Sequence, residues 1–242
     1  MSTQLLKPKK NAAQREANGV PNGARAVDII INGSVHIPPW VTDHDSFRRW
    51  AFSDDFPGRG RFAFLAGKLW VDLSMETDFH NQIKTVISII VGSIVLNEAL
   101  GRFYTDGMLL TDLSLGLSCE PDAMFVSNDR SEKGLATLIK GDKSMELTGA
   151  PDMALEIVSK SSADKDLIDA IHLYAKAGIA EYWLVDSTVE TPELTIMRLA
   201  AGKYVSVRKQ HGWVKSKVFD HSFRLICKKD AKGLSQFNLE TK

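Results

Sequence analysis

The order of local patterns along the chain predicts a mixed α/β fold, a central mixed β-sheet flanked by helices. Three observations predict it. Over Asp78–Leu100, Ile83, Val86, Ile87, Ile90, Val91, Ile94 and Val95 recur at helical spacing, and a helix this apolar has to pack on a sheet. The stretch PDMALEIVSKSS at Pro151–Ser162 contains an apolar run, Met153–Val158, of the length of a buried strand. A helical pattern over Ala163–Ala177 then leads into EYWLV at Glu181–Val185, another strand.

The remaining elements follow in chain order. Val27–Ile31 is a β-branched run ending in Asn-Gly, an early strand and turn, and Pro38-Pro39 forbids regular structure beyond it. Asp43–Phe52 carries a weak helical pattern. Phe62–Leu65 and Lys68–Leu73, joined by Ala66-Gly67, form a hairpin. Thr77 or Asp78 caps the long helix, and Gly101 ends it. Arg102–Leu110 and Pro121–Val126 are strands with a turn at Ser114–Ser118, and the polar Ser127–Lys143 is an excursion or loop. Ser161-Ser162 caps the second helix, Asp164 and Asp166 sit in its first turn where the dipole favours acids, and Gly178 ends it. Leu194–Leu199, Lys203–Arg208 and Phe223–Cys227 complete a β-rich end.

At 242 residues, with 44% hydrophobic residues, the chain is long enough to bury a substantial core in one ordinary domain. The domain is expected over residues 27–230, between a disordered basic tail at 1–26 and a C-terminal tail at 231–242. The 30 basic and 30 acidic residues balance, which excludes a histone-like polycation. Lys7, Lys9, Lys10, Arg15 and Arg25 against Glu16 make the start basic, but they are too dispersed to form one patch. Cys119 and Cys227 show no zinc spacing and argue against a disulfide scaffold. The start MSTQLLKPKK has no apolar signal core, and the greasy Ile83–Leu96, interrupted by Lys84, is short for a bilayer. The expectation is a cytoplasmic protein with no membrane partner.

The candidate chemistry lies in acids placed on strands. Alternation puts Asp152, Ala154 and Glu156 on one face of their strand and Met153, Leu155 and Ile157 on the other. A buried unpaired carboxylate is costly, so Glu156 either has a cationic side-chain partner in the core or holds a bound cation. A neighbouring strand carrying Asp122, after Pro121, can bring a second acid to that face. Two carboxylates in one pocket repel unless a cation lies between them. A hard divalent ion such as Mg²⁺ suits an all-oxygen site, and there it supports attack on a phosphate.

PDMALEIVSKSS…DLIDAIHLYAKAGIAEYWLVD resembles the signature of the Uma-type restriction endonucleases, within the PD-(D/E)XK nuclease superfamily. The matching positions are the earlier EPDAMFV at Glu120–Val126 and Tyr174, Gly178, Ile179, Glu181, Tyr182, Trp183, Val185 and Asp186. Upstream, GKLWVDLSMETDFHNQI resembles the family's glycine hairpin and histidine-bearing helix start, with Gly67 and His80 matching. The likeness spans Phe62 to Leu199 and is densest in its last third. It implies a restriction-endonuclease-like fold, Mg²⁺ or Mn²⁺ as cofactor, DNA as substrate and a homodimer. It further implies Asp122 and Glu156 as metal ligands, with the Ile157 carbonyl as a third.

Three positions depart from the pattern. The family's helical lysine aligns with Ala170, its early glutamate with Ala63, and its proline after the serine with Lys160. Lys165 is on the right helix but more than one turn early, so it lies on a different face of that helix. Lys160 lies just past the strand on a long, flexible stem. Either could assist the attacking water, and Glu76 could replace the missing glutamate at the helix mouth. His80 could orient a phosphate or a water, or serve only as a cap or packed side chain. A non-cleaving protein that keeps the fold, binding nucleic acid or dimerising, is the alternative.

The stretch KYVSVRKQHGWVKSK at Lys203–Lys217 interleaves cations with Tyr204 and Trp213 and contains no acid. It suits either phosphate contact or a solvated hairpin whose aromatics pack inward. No GxxxxGK[ST], GxGxxG or GxSxG motif occurs, so no nucleotide cofactor and no hydrolase elbow is expected.

Overall fold

The computed structural model describes residues 29–32 and 35–242 and divides the chain into two units, residues 1–42 and 43–242. The basic tail expected at 1–26 lies outside the described residues. In the first unit β1 (Ile29–Ile31) pairs antiparallel with β2 (Val35–Ile37). The domain expected over 27–230 is thus divided after Thr42, beyond the Pro38-Pro39 break.

The second unit begins with α1 (His44–Ala51), capped by Asp43, whose carboxylate accepts from the Ser46 N–H at 2.8 Å. The hairpin β3 (Arg61–Leu65) and β4 (Lys68–Asp72) turns through Ala66 and Gly67, both at positive φ, and has the expected register. α2 (Asp78–Asn97) starts at Thr77, whose hydroxyl accepts from the His80 N–H. The helix stops earlier than expected: Ala99 takes the left-handed conformation at φ +50°. Gly101 already belongs to the next strand. A Cβ there would sit 2.1 Å from the Val126 carbonyl oxygen, so glycine is needed for close strand contact rather than as a cap.

The strand expected at Arg102–Leu110 is two strands, β5 (Gly101–Thr105) and β6 (Leu109–Asp112), in different sheets. The chain turns between them at Gly107, whose N–H donates to Glu120 at 2.6 Å. There follow β7 (Leu117–Cys119), β8 (Ala123–Ser127), α3 (Asn128–Glu132), β9 (Ala136–Thr137) and β10 (Glu146–Gly149). The supposed loop at 127–143 therefore holds a short helix and a strand, which its polar surface disguised.

β11 (Met153–Val158) leads to a helix whose first part, Lys165–Ala170, is a π-helix before α4 (Ile171–Ala177) and the left-handed Gly178. β12 (Glu181–Asp186), β13 (Leu194–Ala200), β14 (Lys203–Ser206), β15 (Val214–Lys215), β16 (Ser222–Lys229) and β17 (Ser235–Thr241) close the chain. The expected C-terminal tail is instead β17, paired along its whole length with β16. Its alternation is masked by polar residues, and the pairing partner supplies the strand.

The class is mixed α/β, but several sheets replace the single central one. One six-stranded sheet runs β4-β3-β7-β6-β10-β9, and a second runs β14-β13-β12-β11-β8-β5. β15-β16-β17 forms a third, smaller sheet. β11 is buried at every position, between antiparallel β8 and parallel β12. Met153, Leu155 and Ile157 pack with Ile83, Ile87 and Val91 of α2 and with Phe223 and Leu239 of the smaller sheet. On the other face, Ala154 and Val158 pack with Leu65, Leu110, Leu117 and Tyr174. α2 has the length and hydropathy of a membrane span, yet its inner stripe is core.

Candidate metal centre

The register of two strands brings the predicted acids together. β8 and β11 pair as Leu155↔Ala123 and Ala154↔Met124, so one further step sets Asp122 opposite Glu156. Residues directly opposite on antiparallel strands present side chains to the same face. Both acids are buried, and both line one cavity of about 40 Å³ with Lys165 and Asp166.

The two acids are held differently. Asp122 Oδ2 accepts the Ile157 N–H at 2.7 Å and lies 3.5 Å from His80 Nε2. Burial pushes its pKa up, but the His80 contact, the Ile157 N–H and Arg61 outweigh it and hold the carboxyl below its ordinary value. Glu156 Oε1 accepts from the Tyr174 hydroxyl at 2.8 Å, and its Oε2 lies 3.5 Å from Lys165 Nζ. Burial, joined by the nearby Asp166 and Asp122 carboxylates, drives Glu156 well above the usual carboxylate range despite Lys165. Asp166, 2.8 Å from Lys165 Nζ, is raised too, chiefly by burial. Burial alone would lower Lys165, but the two anions beside it push it up.

Lys165 lines this cavity and opens the π-helical stretch rather than an α-helix. A π-helical stretch advances each residue by a smaller angle, so the expectation that Lys165 faces elsewhere fails. Lys160 is exposed and does not line the cavity. Ala170, at the family's lysine position, is core, and Ala63, at the early glutamate's position, lines the cavity as an apolar wall.

Glu76 and His80 enter from the other side. His80 is buried at the start of α2, its Nε2 lies 3.1 Å from the Ile157 carbonyl oxygen, and its Nδ1 has no hydrogen-bond partner. That Nδ1 is 3.5 Å from Glu76 Oε2. Ligand-capable atoms of Glu76, His80 and Asp122 all lie within 4.8 Å of one another. Lys84 Nζ donates to Glu76 Oε1 at 2.6 Å and also pairs with Asp106, and Arg61 pairs with Glu76. Arg61 is 3.8 Å from Asp122 Oδ1, beyond hydrogen-bond distance, so it does not lock that acid.

Sequence reasoning missed four contributors: Arg61, Lys84, Tyr174 and Asp166. Lys84 carried a signal, a lone cation in an apolar helical stripe, and Tyr174 stood in the quoted motif without a role. Arg61 carried none, because its partners are distant in sequence.

Comparison with known proteins adds three findings. No curated protein matches the chain. A solved structure of a nuclease assigned to DUF820, titled as putative, from Anabaena variabilis aligns with TM-score 0.56 at 18% identity. That alignment covers 74% of this chain and 90% of the other, and shows a shared fold. Residues 44–225 match the family Uma2, described as "Putative restriction endonuclease". With its acids opposed across β8 and β11 and the match running through most of the chain, this protein belongs to the Uma2 family.

Proposed function

We propose that the chain is a Mg²⁺- or Mn²⁺-dependent endonuclease that hydrolyses DNA phosphodiester bonds. One observation carries the reading: Asp122, Glu156 and Asp166 are buried around one small cavity, and Lys165 is the single amine among them. The acids there outnumber the cations, and a hard divalent ion, which would displace the proton that burial keeps on Glu156, fits the set because the donors are all oxygen. Asp122 and Glu156 would hold the ion, with the Ile157 carbonyl as a third donor. When bound, such an ion acidifies water and neutralises charge developing on a phosphate.

The protein's own residues do the rest. Tyr174 fixes one oxygen of Glu156 and leaves the other toward Lys165. The Lys165 ammonium orients the attacking water and balances the phosphate. His80 steadies both Asp122 and the Ile157 carbonyl. Arg61, more than a third exposed at the mouth, is placed to meet an incoming phosphate. A homodimer and a cytoplasmic location belong to the same reading, and sedimentation equilibrium tests the first.

Calorimetric titration with Mg²⁺ and Mn²⁺, paired with nicking of supercoiled DNA, tests the proposal. Wild type is expected to bind the ion and nick, and Asp122→Ala to do neither. A folded wild type that binds neither ion and nicks no DNA removes the reading and leaves the non-cleaving alternative.

A further inference from the structure

The basic run after β14 takes no part in the metal centre. It folds with the end of β17 around Trp213, where a cleft of about 430 Å³ opens. Arg208, Lys215, Lys242 and His211 line it, all exposed, and no described residue lining it is acidic. The Arg224 guanidinium carbon lies 4.7 Å, and Lys242 Nζ 4.4 Å, from the centre of the Trp213 ring. An indole face holds cations by its quadrupole without neutralising them. Among described residues no carboxylate stands within ion-pair distance of Arg208 or Lys242, whereas Lys215 meets the exposed Asp220 at 2.6 Å and Arg224 meets Glu240 at 2.5 Å. The exposed Lys215–Asp220 pair contributes little and exchanges readily for another anion.

The smaller sheet that carries the cleft also touches the start of α2. Phe237 of β17 packs 4.8 Å from Phe79, the neighbour of His80. Lys242 lies five residues further, roughly 17 Å along an extended chain at about 3.4 Å per residue.

We propose that this cleft grips the phosphate backbone of duplex DNA as a contact separate from the metal centre. The inference rests on the nuclease reading and adds a second, sequence-independent contact to it. Cations spread over one strand end, with an aromatic anchor and no acid in the wall, match a polyanion's regular charge.

Fluorescence anisotropy with a labelled duplex about two helical turns long, in chelator and over a salt series, tests it. The Arg208→Ala/Lys242→Ala double variant is expected to bind about tenfold or more weakly at low salt, with a log–log salt slope shallower by about 2. Trp213→Leu, which releases the anchored cations, should weaken binding in the same direction. Lys133→Ala, another exposed cation, should leave the slope unchanged. If the double variant keeps the wild-type slope while the protein still binds and nicks DNA, the cleft inference fails and the nuclease reading stands. If wild type binds no duplex at any salt, the cleft inference fails, while the nuclease reading is decided by metal binding and nicking.

Discussion

Two glutamates sit in one pair of neighbouring strands and meet opposite fates. Glu181 of β12 stands beside Met153, and Glu156 of β11 beside Leu184. Both are almost fully buried. Glu181 faces the smaller sheet, where Ser216 Oγ and the Lys217 N–H each donate at 2.6 Å, Trp183 Nε1 donates at 3.1 Å, and Arg198 lies 3.6 Å away. Its carboxylate is paired on every side and ties β12 to the segment before β16. Glu156 has one hydroxyl donor, one lysine at 3.5 Å and two carboxylates for company. Burial is the same in the two places, and only the balance of donors differs. On the proposed reading, the under-compensated buried acid beside a cavity takes a cation, while the saturated one is a structural pin.

The contrast can be broken or sharpened by experiment. The largest expected effect is on chemistry: Glu156→Gln should lower DNA nicking by about 10³-fold or more, roughly 4 kcal/mol of transition-state stabilisation. The same variant should leave chemical denaturation within about 1 kcal/mol of wild type or make the metal-free protein more stable, since an unpaired burden is removed. A large stability loss without metal would instead mean that Glu156 is a structural acid. Next comes Glu181→Ala, expected to cost about 3 kcal/mol in the same denaturation assay, because it strands the Ser216, Lys217 and Trp183 donors. Equal losses for the two glutamates would erase the comparison.

Lys165→Met should reduce nicking by about 10²-fold, as expected for loss of a charged group at the reacting centre. Lys160→Met should change it less than twofold, since that side chain is exposed away from the cavity. The reverse order would show that the π-helical placement of Lys165 is irrelevant to catalysis.

The smallest effect is a pH slope. With its folded pKa raised above the ordinary 4.5, Glu156 keeps a proton that the unfolded chain has already lost. Stability of the metal-free protein therefore falls as pH rises from that ordinary value toward the folded one, by at most about 1.4 kcal/mol per unit. Glu156→Gln removes the slope, so its advantage over wild type should grow with pH and disappear in acid. Glu146 has the opposite sign. Burial raises it, but Arg48, bonded at 2.8 Å through two nitrogens, more than reverses this and holds it low. Its contribution is present above the unfolded value and lost as pH falls through the folded one. Glu146→Gln should thus cost about 1 kcal/mol near neutrality and nothing in acid.

The legibility of the site followed sequence distance. The strand around Glu156, its alternating faces, the hairpin through Ala66-Gly67 and the turn at Gly178 all depend on residues a few positions apart. The helix start at Thr77 also read correctly, because a cap is a local hydrogen bond. The split between β5 and β6 did not, although Asp106-Gly107 is a local turn signal inside the run; Lys84 and Glu120, reaching in from elsewhere, add to holding that turn. The π-helical opening was hidden because the apolar spacing over Ala163–Ala177 is that of an ordinary helix.

The chain by itself therefore determined the mixed α/β class, the two acids of the candidate metal centre and the motif that marks the family, since periodicity and fixed spacing survive in one dimension. Tertiary structure alone decided that Lys165 rather than Lys160 meets Glu156, that Arg61 and Lys84 compensate Glu76, and that Glu181 is saturated. Those outcomes depend on partners as far as 36 residues away, and a charge is priced by everything around it rather than by its neighbours in sequence.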